Sequence, residues 1–246
     1  MDAKSVKQLD WRTVGLLAAM FVVAGIFWDT IFIYPIKLFV VALHEFSHGV
    51  AAILTGGSIV RIEIDYRIGG LCYTQGGSTF FVASAGYLGS IVWGGIILMI
   101  AVRTRRDKLL GMVIGGLLTL LALVYIRNPF GFFFTVGFGL ALGAISFFAR
   151  DAVVDLLLKF LGMTSCLYVI IDIKEDLIQR SGVGSDADAI AKLLGAPALS
   201  VPIGIFWILL ALGAFAFFLW FAGQGEPPDG KTISTTTAQR KHTGLG

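Results

Sequence analysis

Charged residues are scarce in this sequence. Asp, Glu, Lys and Arg together make up 14% of its 246 residues, whereas hydrophobic residues make up 57%. Soluble domains carry about 25% charged residues, so the composition excludes an ordinary soluble protein and indicates a multi-pass integral membrane protein in a lipid bilayer. The net charge of +3 is small and the basic residues are dispersed, which argues against nucleic acid as a partner.

Cysteine and histidine are also rare. The two cysteines, Cys72 and Cys166, lie far apart in the sequence, which excludes a metal site built from a cysteine cluster. The chain has three histidines. His44 and His48 fall within one five-residue string, and His242 lies in the polar C-terminal segment. Histidine ligands for a buried metal ion must therefore come from that string.

Apolar runs account for most of the chain. A membrane-spanning helix needs about 20 apolar residues, and seven runs come close to or reach that length. They cover approximately residues 14–33, 36–54, 80–102, 109–126, 130–149, 151–173 and 201–222. The sequence therefore predicts an all-α membrane protein, a polytopic bundle of about six to seven transmembrane helices.

One strand signal interrupts these runs. Residues 61–68 alternate polar and apolar side chains, the pattern of a half-buried strand. We expect a β-hairpin over about residues 59–75, with Gly69 and Gly70 in a tight turn. The edge at residues 62–68 is a candidate to hold an extended peptide by strand addition.

Three segments follow from this division. Residues 1–12 form a polar N-terminal segment, and residues 13–222 form one transmembrane domain. Residues 223–246 are polar and rich in Thr and Gly, a composition that predicts a disordered tail.

The string His44-Glu45-Phe46-Ser47-His48 lies inside the second apolar run. In an α-helix, residues four apart share a face, so His44 and His48 can bind one metal ion. This spacing on a helix is the pattern of zinc metallopeptidases, with the intervening Glu as general base on a zinc-bound water. Ionisable groups within a membrane are costly unless they serve a function. The string therefore predicts a Zn2+ site with Glu45 as the catalytic base.

Catalytic zinc takes three protein ligands and keeps one position for water. Because no third histidine lies in an apolar segment, we expect a carboxylate. Asp172 ranks first, since it ends an apolar run and can lie at membrane depth. Asp176, one turn further on, and then Asp186 are the alternatives. The predicted metal ligands are therefore His44, His48 and Asp172.

This pattern resembles a known family. Residues 44–49, followed by Gly56 and Gly57, are similar to the opening of the site-2 protease-like intramembrane zinc metalloproteases. The likeness is closest to their compact peptidase branch, and residues 84–89 and 185–187 also resemble it. It spans roughly residues 36–222 and implies cleavage of a peptide bond in or next to the membrane. Better-known members carry their aspartate ligand in a Leu-Asp-Gly motif, which this chain lacks, so the third ligand rests on elimination.

The predicted function is a zinc-dependent intramembrane endopeptidase that cuts in or near the transmembrane segment of a membrane protein. One alternative is a membrane metalloprotease that cuts a soluble or lipidated peptide within a chamber. Others are a catalytically inactive metal-binding protein or scaffold, and a transporter with His and Glu in a proton or metal path. Glu45 favours an enzyme, because a structural zinc site needs no general base.

Overall fold

The fold is described by a computed structural model for residues 10–178 and 185–224, with side chains for 10–175 and 185–224. The disordered tail predicted for residues 223–246 falls almost entirely outside these residues, as does most of the polar segment predicted for residues 1–12. The side chain of Asp176 and the whole of His242 also lie outside the described residues.

The described residues form a helical bundle with one two-stranded sheet. In chain order the elements are α1 (Trp11–Ile26), α2 (Tyr34–Leu54), β1 (Ser58–Asp65), β2 (Gly69–Gln75), α3 (Thr79–Arg103), α4 (Asp107–Tyr125), α5 (Pro129–Phe148), α6 (Asp151–Ile178), α7 (Asp186–Leu193), a 3-10 turn (Pro197–Leu199) and α8 (Ser200–Gly223). Six of them, α2 to α6 and α8, are long and apolar enough to cross a membrane. The predicted polytopic bundle with a hairpin is confirmed.

The first predicted span differs from the structure. Helix α1 ends at Ile26 after 16 residues, short of the length that crosses a bilayer. Residues 27–33 form turns instead. The Asp29 side chain in these turns is 93% exposed and lies 3.3 Å from the ammonium group of Lys37, whose side chain is buried.

Helix α2 lies at the centre of the bundle. About 67% of its apolar window is buried inside the protein, against 22% for the last span. Pro35 sits in its first turn, where a missing N–H costs no hydrogen bond. Gly56 adopts a left-handed φ of 87° just beyond its end, a conformation that glycine tolerates best. The histidine string is therefore carried on a helix with defined ends and protein on most sides.

Two buried charges in α6 pair with each other. Lys159 Nζ lies 2.7 Å from an oxygen of Asp155, one turn away, and both side chains are less than a fifth exposed. Charges inside a membrane segment are costly unless paired. The pair explains how α6 continues as one helix from Asp151 to Ile178 despite these residues.

The hairpin has the predicted strands but not the predicted turn. β1 and β2 are antiparallel, from Ser58 opposite Gln75 to Asp65 opposite Gly69. Residues 66–68 make the turn, with Ile68 at a φ of 62°, so the prediction of a Gly69-Gly70 turn was wrong. Gly69 opens β2 instead. A branched residue at positive φ is strained, and the structure places this strain beside the cavity described below.

The outer edge of β1 is already occupied by the corner between α4 and α5. The N–H of Arg127 donates to the carbonyl of Ile62 at 3.1 Å. The Asn128 side chain accepts from the Ile64 N–H at 3.0 Å and donates to its carbonyl at 2.7 Å. Residues 62–64 of the edge proposed for strand addition are thus bonded within the chain, and β2 carries the other edge of the two-stranded sheet.

Glycines allow α4 and α5 to approach closely. A Cβ placed on Gly115 would lie 2.4 Å from the Gly139 carbonyl oxygen and 2.9 Å from the Gly143 nitrogen. Small residues at such crossings let backbones pack in place of side chains. The adjacent Gly116 faces open space, which makes it a matched control.

We expect Gly115→Ala to destabilise the bundle by about 1–3 kcal/mol, as overpacking does elsewhere. Gly116→Ala should be neutral or stabilising, since alanine is the better helix former. Thermal unfolding of the detergent-purified variants measures the difference. Equal melting temperatures for the two variants would contradict the close crossing.

Candidate metal centre

Helix α2 places His44, Glu45 and His48 inside the bundle. The ring centroids of the two histidines are 4.8 Å apart, as expected for side chains one turn apart on one face. Glu45 is 5% exposed and His48 is 8% exposed. The geometry of α2 thus brings these side chains together, as the sequence predicted.

Helix α7 brings a carboxylate to the same point. One oxygen of Asp186 lies 3.3 Å from His44 Nε2, and the other lies 3.4 Å from His48 Nε2. The ligand atoms of these three residues all fall within 4.8 Å of one another. Two imidazoles and one carboxylate form a donor set found in hydrolytic zinc sites.

A hydrogen bond fixes the orientation of His48. Its Nδ1 lies 2.7 Å from the carbonyl oxygen of Val82 in α3. A carbonyl only accepts, so Nδ1 carries the proton and, in the neutral ring, the lone pair is left on Nε2. This is the backbone-carbonyl arrangement that commonly orients metal-binding histidines, and it directs the free nitrogen of His48 towards Asp186.

Two observations test whether these residues fit a metal ion. First, Asp186 Oδ2 is buried and, among the described residues, has no hydrogen bond of good geometry, although it lies close to His44. Buried polar atoms normally have partners. Second, a Cβ on Gly86 of α3 would lie 2.4 Å from both His44 Nε2 and Asp186 Oδ2. Glycine at this position leaves unfilled the space beside both atoms that a side chain would take, so the residues present fit a metal ion.

Asp172, the first-ranked candidate for the third metal ligand, lies near the three converging residues but is not one of them. It lines the main cavity, together with His44 and Asp186, and also a smaller cavity of about 170 Å³ beside Lys37. It does not belong to the group whose ligand atoms converge. Asp186, which ranked third, takes the position next to both imidazoles, and the Asp176 side chain lies outside the described residues.

The N-terminal half of β2 forms one wall of the site. A Cβ on Gly70 would lie 2.6 Å from Glu45 Cγ, so glycine is needed for the strand to come this close. The backbone N–H of Cys72 donates to the Glu45 carboxyl group. Burial, and secondarily the nearby Glu45 charge, raise the pKa of the Cys72 thiol to about 12, so this thiol is neutral at physiological pH. The hairpin thus contacts Glu45 directly.

Small residues in α3 let this helix pack closely against α2. A Cβ on Gly89 would lie 2.1 Å from Ser47 Oγ in the histidine string. Ser47 Oγ accepts from Trp93 Nε1 at 3.2 Å and donates to the Leu43 carbonyl at 2.7 Å. Gly86 and Gly89 therefore let α3 lie against α2. The glycine-rich string at residues 84–89 was the sequence signal for this contact.

The main cavity is large enough for a segment of peptide. Its volume is about 580 Å³, and its lining includes the three converging residues, Glu45 and residues 69–72 of β2. The Tyr87 ring closes one side, 5.4 Å from the His44 ring and 5.1 Å from the Trp207 ring. A general base, three candidate ligands and a strand edge therefore share one cavity, whose wall also includes Val41, Val82 and Ala83.

We expect Gly86→Ala to abolish metal binding, because the added methyl group would lie against two of the candidate ligand atoms. Gly137→Ala, at a glycine with open space around it, should keep the metal content of the wild type. Zinc analysis of purified, monodisperse protein measures both. Full zinc content in Gly86→Ala would contradict the placement of the site.

A family model described as Peptidase M50B-like matches residues 17–219, which include every element of the site. Searches among curated proteins and among solved structures found no match.

Proposed function

This chain belongs to the Peptidase M50B-like family, and from this premise we propose that it is a zinc-dependent intramembrane endopeptidase. Family membership supports a membrane metallopeptidase. The six apolar helices among the described residues support a multi-pass membrane protein. The proposed reaction is hydrolysis of a peptide bond in or near the transmembrane segment of a membrane protein. We assign this activity to residues 13–222 as one domain.

The observation that carries the proposal is the convergence of His44, His48 and Asp186 beside Glu45. We propose that these three residues hold zinc and that Asp186, rather than Asp172, is the third ligand. The short distances from Asp186 to both Nε2 atoms support this choice. When bound, zinc would act as a Lewis acid. It would lower the pKa of a bound water towards neutrality and polarise a carbonyl group.

Glu45 is the proposed general base. Its carboxyl group accepts a proton from the attacking water and later donates it to the nitrogen of the leaving amine. The Cys72 N–H holds one side of this carboxyl group, and Gly70 allows the strand to lie against it. Glu45 is 5% exposed and lines the cavity, so its carboxyl group reaches water and substrate only through that cavity.

The edge of β2 is the proposed substrate platform. Residues 69–72 line the cavity, whereas the outer edge of β1 is bonded to the α4–α5 corner. A peptide bond in an intact helix is shielded, so the substrate must unwind locally. An unwound segment that adds to β2 as a strand would place its backbone next to Glu45.

Zinc content and cleavage test the proposal together. We expect about one zinc per chain in wild type, in keeping with a three-ligand site, and its loss in His44→Ala and Asp186→Asn. Asp172→Asn is the matched control and should retain zinc. Glu45→Gln should retain zinc but lose cleavage by at least about 100-fold, the usual scale for a general base.

The cleavage assay uses single-span membrane peptides co-reconstituted with the protein and analysed by mass spectrometry. Unchanged cleavage in Glu45→Gln would refute the assigned base. Zinc flux into vesicles without any cleavage would favour a transporter, and zinc binding without either activity would favour an inactive metal-binding protein.

A paired substitution tests the role of the hairpin. Gly70→Ala should lower kcat while leaving zinc content unchanged, because the new methyl group would displace the Glu45 carboxyl group. Gly137→Ala, at a glycine of α5 with open space around it and outside the cavity lining, should have little effect. Equal kcat values for the two variants would show that the contact between β2 and Glu45 does not matter for catalysis.

A further inference from the structure

Asp186 is the only member of the converging group that does not lie on α2. His44 and His48 are held one turn apart by a buried helix, whereas Asp186 is the first residue of α7, an eight-residue helix. Because its two contacts are 3.3 and 3.4 Å long, a shift of about 1 Å in α7 would separate the carboxylate from both rings. The site therefore depends on what holds α7.

A helix of this length does not hold itself in place. Isolated helices shorter than about 12–15 residues are marginal in water, so the position of α7 must come from capping and packing. One apolar face of α7 supplies part of this packing, since Ala187, Ile190 and Ala191 are buried. Ile190 belongs to a cluster with Tyr87 of α3 and Trp207 of α8. Apolar packing alone allows sliding and rotation, however, because it is non-directional.

Asp188 supplies directional contacts. Inside α7 it completes a capping box: Ser185 Oγ accepts from the Asp188 N–H at 3.1 Å, and the Ser185 N–H donates to Asp188 Oδ2 at 3.4 Å. Its second oxygen, Oδ1, accepts a short hydrogen bond from the Ser200 hydroxyl. Ser200 is the first residue of α8, and Asp188 is 7% exposed.

One buried carboxylate thus connects the start of α7 to the start of α8. We propose that Asp188 and Ser200 act as a clamp that positions Asp186 for metal binding. Both are positioning residues, since neither belongs to the converging group. The clamp lies two residues from Asp186 along a capped helix turn, so its loss would release the Asp186 end of α7 first.

The test compares Ser200→Ala with Ser200→Thr, which restores the hydroxyl group, and with Ser58→Ala as a matched control at an exposed serine of β1. Zinc affinity is measured on purified protein by competition with a chromophoric chelator. We expect Ser200→Ala to weaken zinc binding by about tenfold, the lower end for residues that orient ligands. Ser200→Thr and Ser58→Ala should match wild type.

Two further readouts separate positioning from general stability. Hydrogen exchange of α7 amides in metal-free protein should be faster in Ser200→Ala and unchanged in Ser200→Thr. The visible absorption of the cobalt-loaded protein should change in Ser200→Ala, because a displaced carboxylate alters the coordination of the metal. Asp188→Ala removes the capping box as well and should show the larger effect in both readouts.

The clamp inference rests on the proposed zinc site, and the experiment distinguishes their failures. If wild type binds no zinc, the proposed function fails, and α7 exchange in metal-free protein still decides whether the clamp exists. If wild type binds zinc but Ser200→Ala has unchanged affinity and unchanged α7 exchange, the clamp is refuted while the zinc site stands. A lower melting temperature in Ser200→Ala with unchanged zinc affinity would refute the positioning role.

Discussion

The contact between Asp186 and the two imidazoles of α2 is the interaction on which the rest of the structure depends. Ionisable groups in the interior of a membrane protein are costly unless they pair with one another or with a cation. The chain meets this constraint by bringing a carboxylate from a distant helix to two histidines one turn apart. The resulting group is compact, nearly enclosed and chemically suited to a divalent metal ion.

Close backbone approach builds two walls of this site. Gly86 brings α3 against the ligand atoms, and Gly70 brings β2 against Glu45. At either position a methyl group would occupy the space in which the chemistry is proposed to occur. The hairpin turn carries strain at Ile68, and β1 is tied to the α4–α5 corner by Asn128. The pairing of β2 with β1, together with these bonds from Asn128 to β1, holds β2 at the wall of the cavity.

The sequence predicted what depends on local pattern. Six of the seven apolar runs correspond to helices long and apolar enough to cross a bilayer, because that property depends on length and composition, whereas the first run forms only the 16-residue helix α1 and a set of turns. The spacing of His44 and His48 predicted a shared face, and the two rings do lie side by side in the structure. The choice of Asp172 over Asp186 rested on membrane depth along a long apolar run. That argument missed the contact by which α7 brings Asp186 to the two histidines, because such a long-range contact leaves no local signal.

Zinc-edge X-ray absorption on cysteine variants tests the central claim most directly. Zinc–sulfur bonds are about 2.3 Å long, whereas bonds to imidazole nitrogen and carboxylate oxygen are about 2.0–2.2 Å, so a thiolate ligand is readily distinguished. The account predicts only nitrogen and oxygen neighbours in wild type and in Asp172→Cys, and one sulfur neighbour in Asp186→Cys. A sulfur neighbour in Asp172→Cys, or none in zinc-loaded Asp186→Cys, would contradict the assignment of Asp186 to the metal.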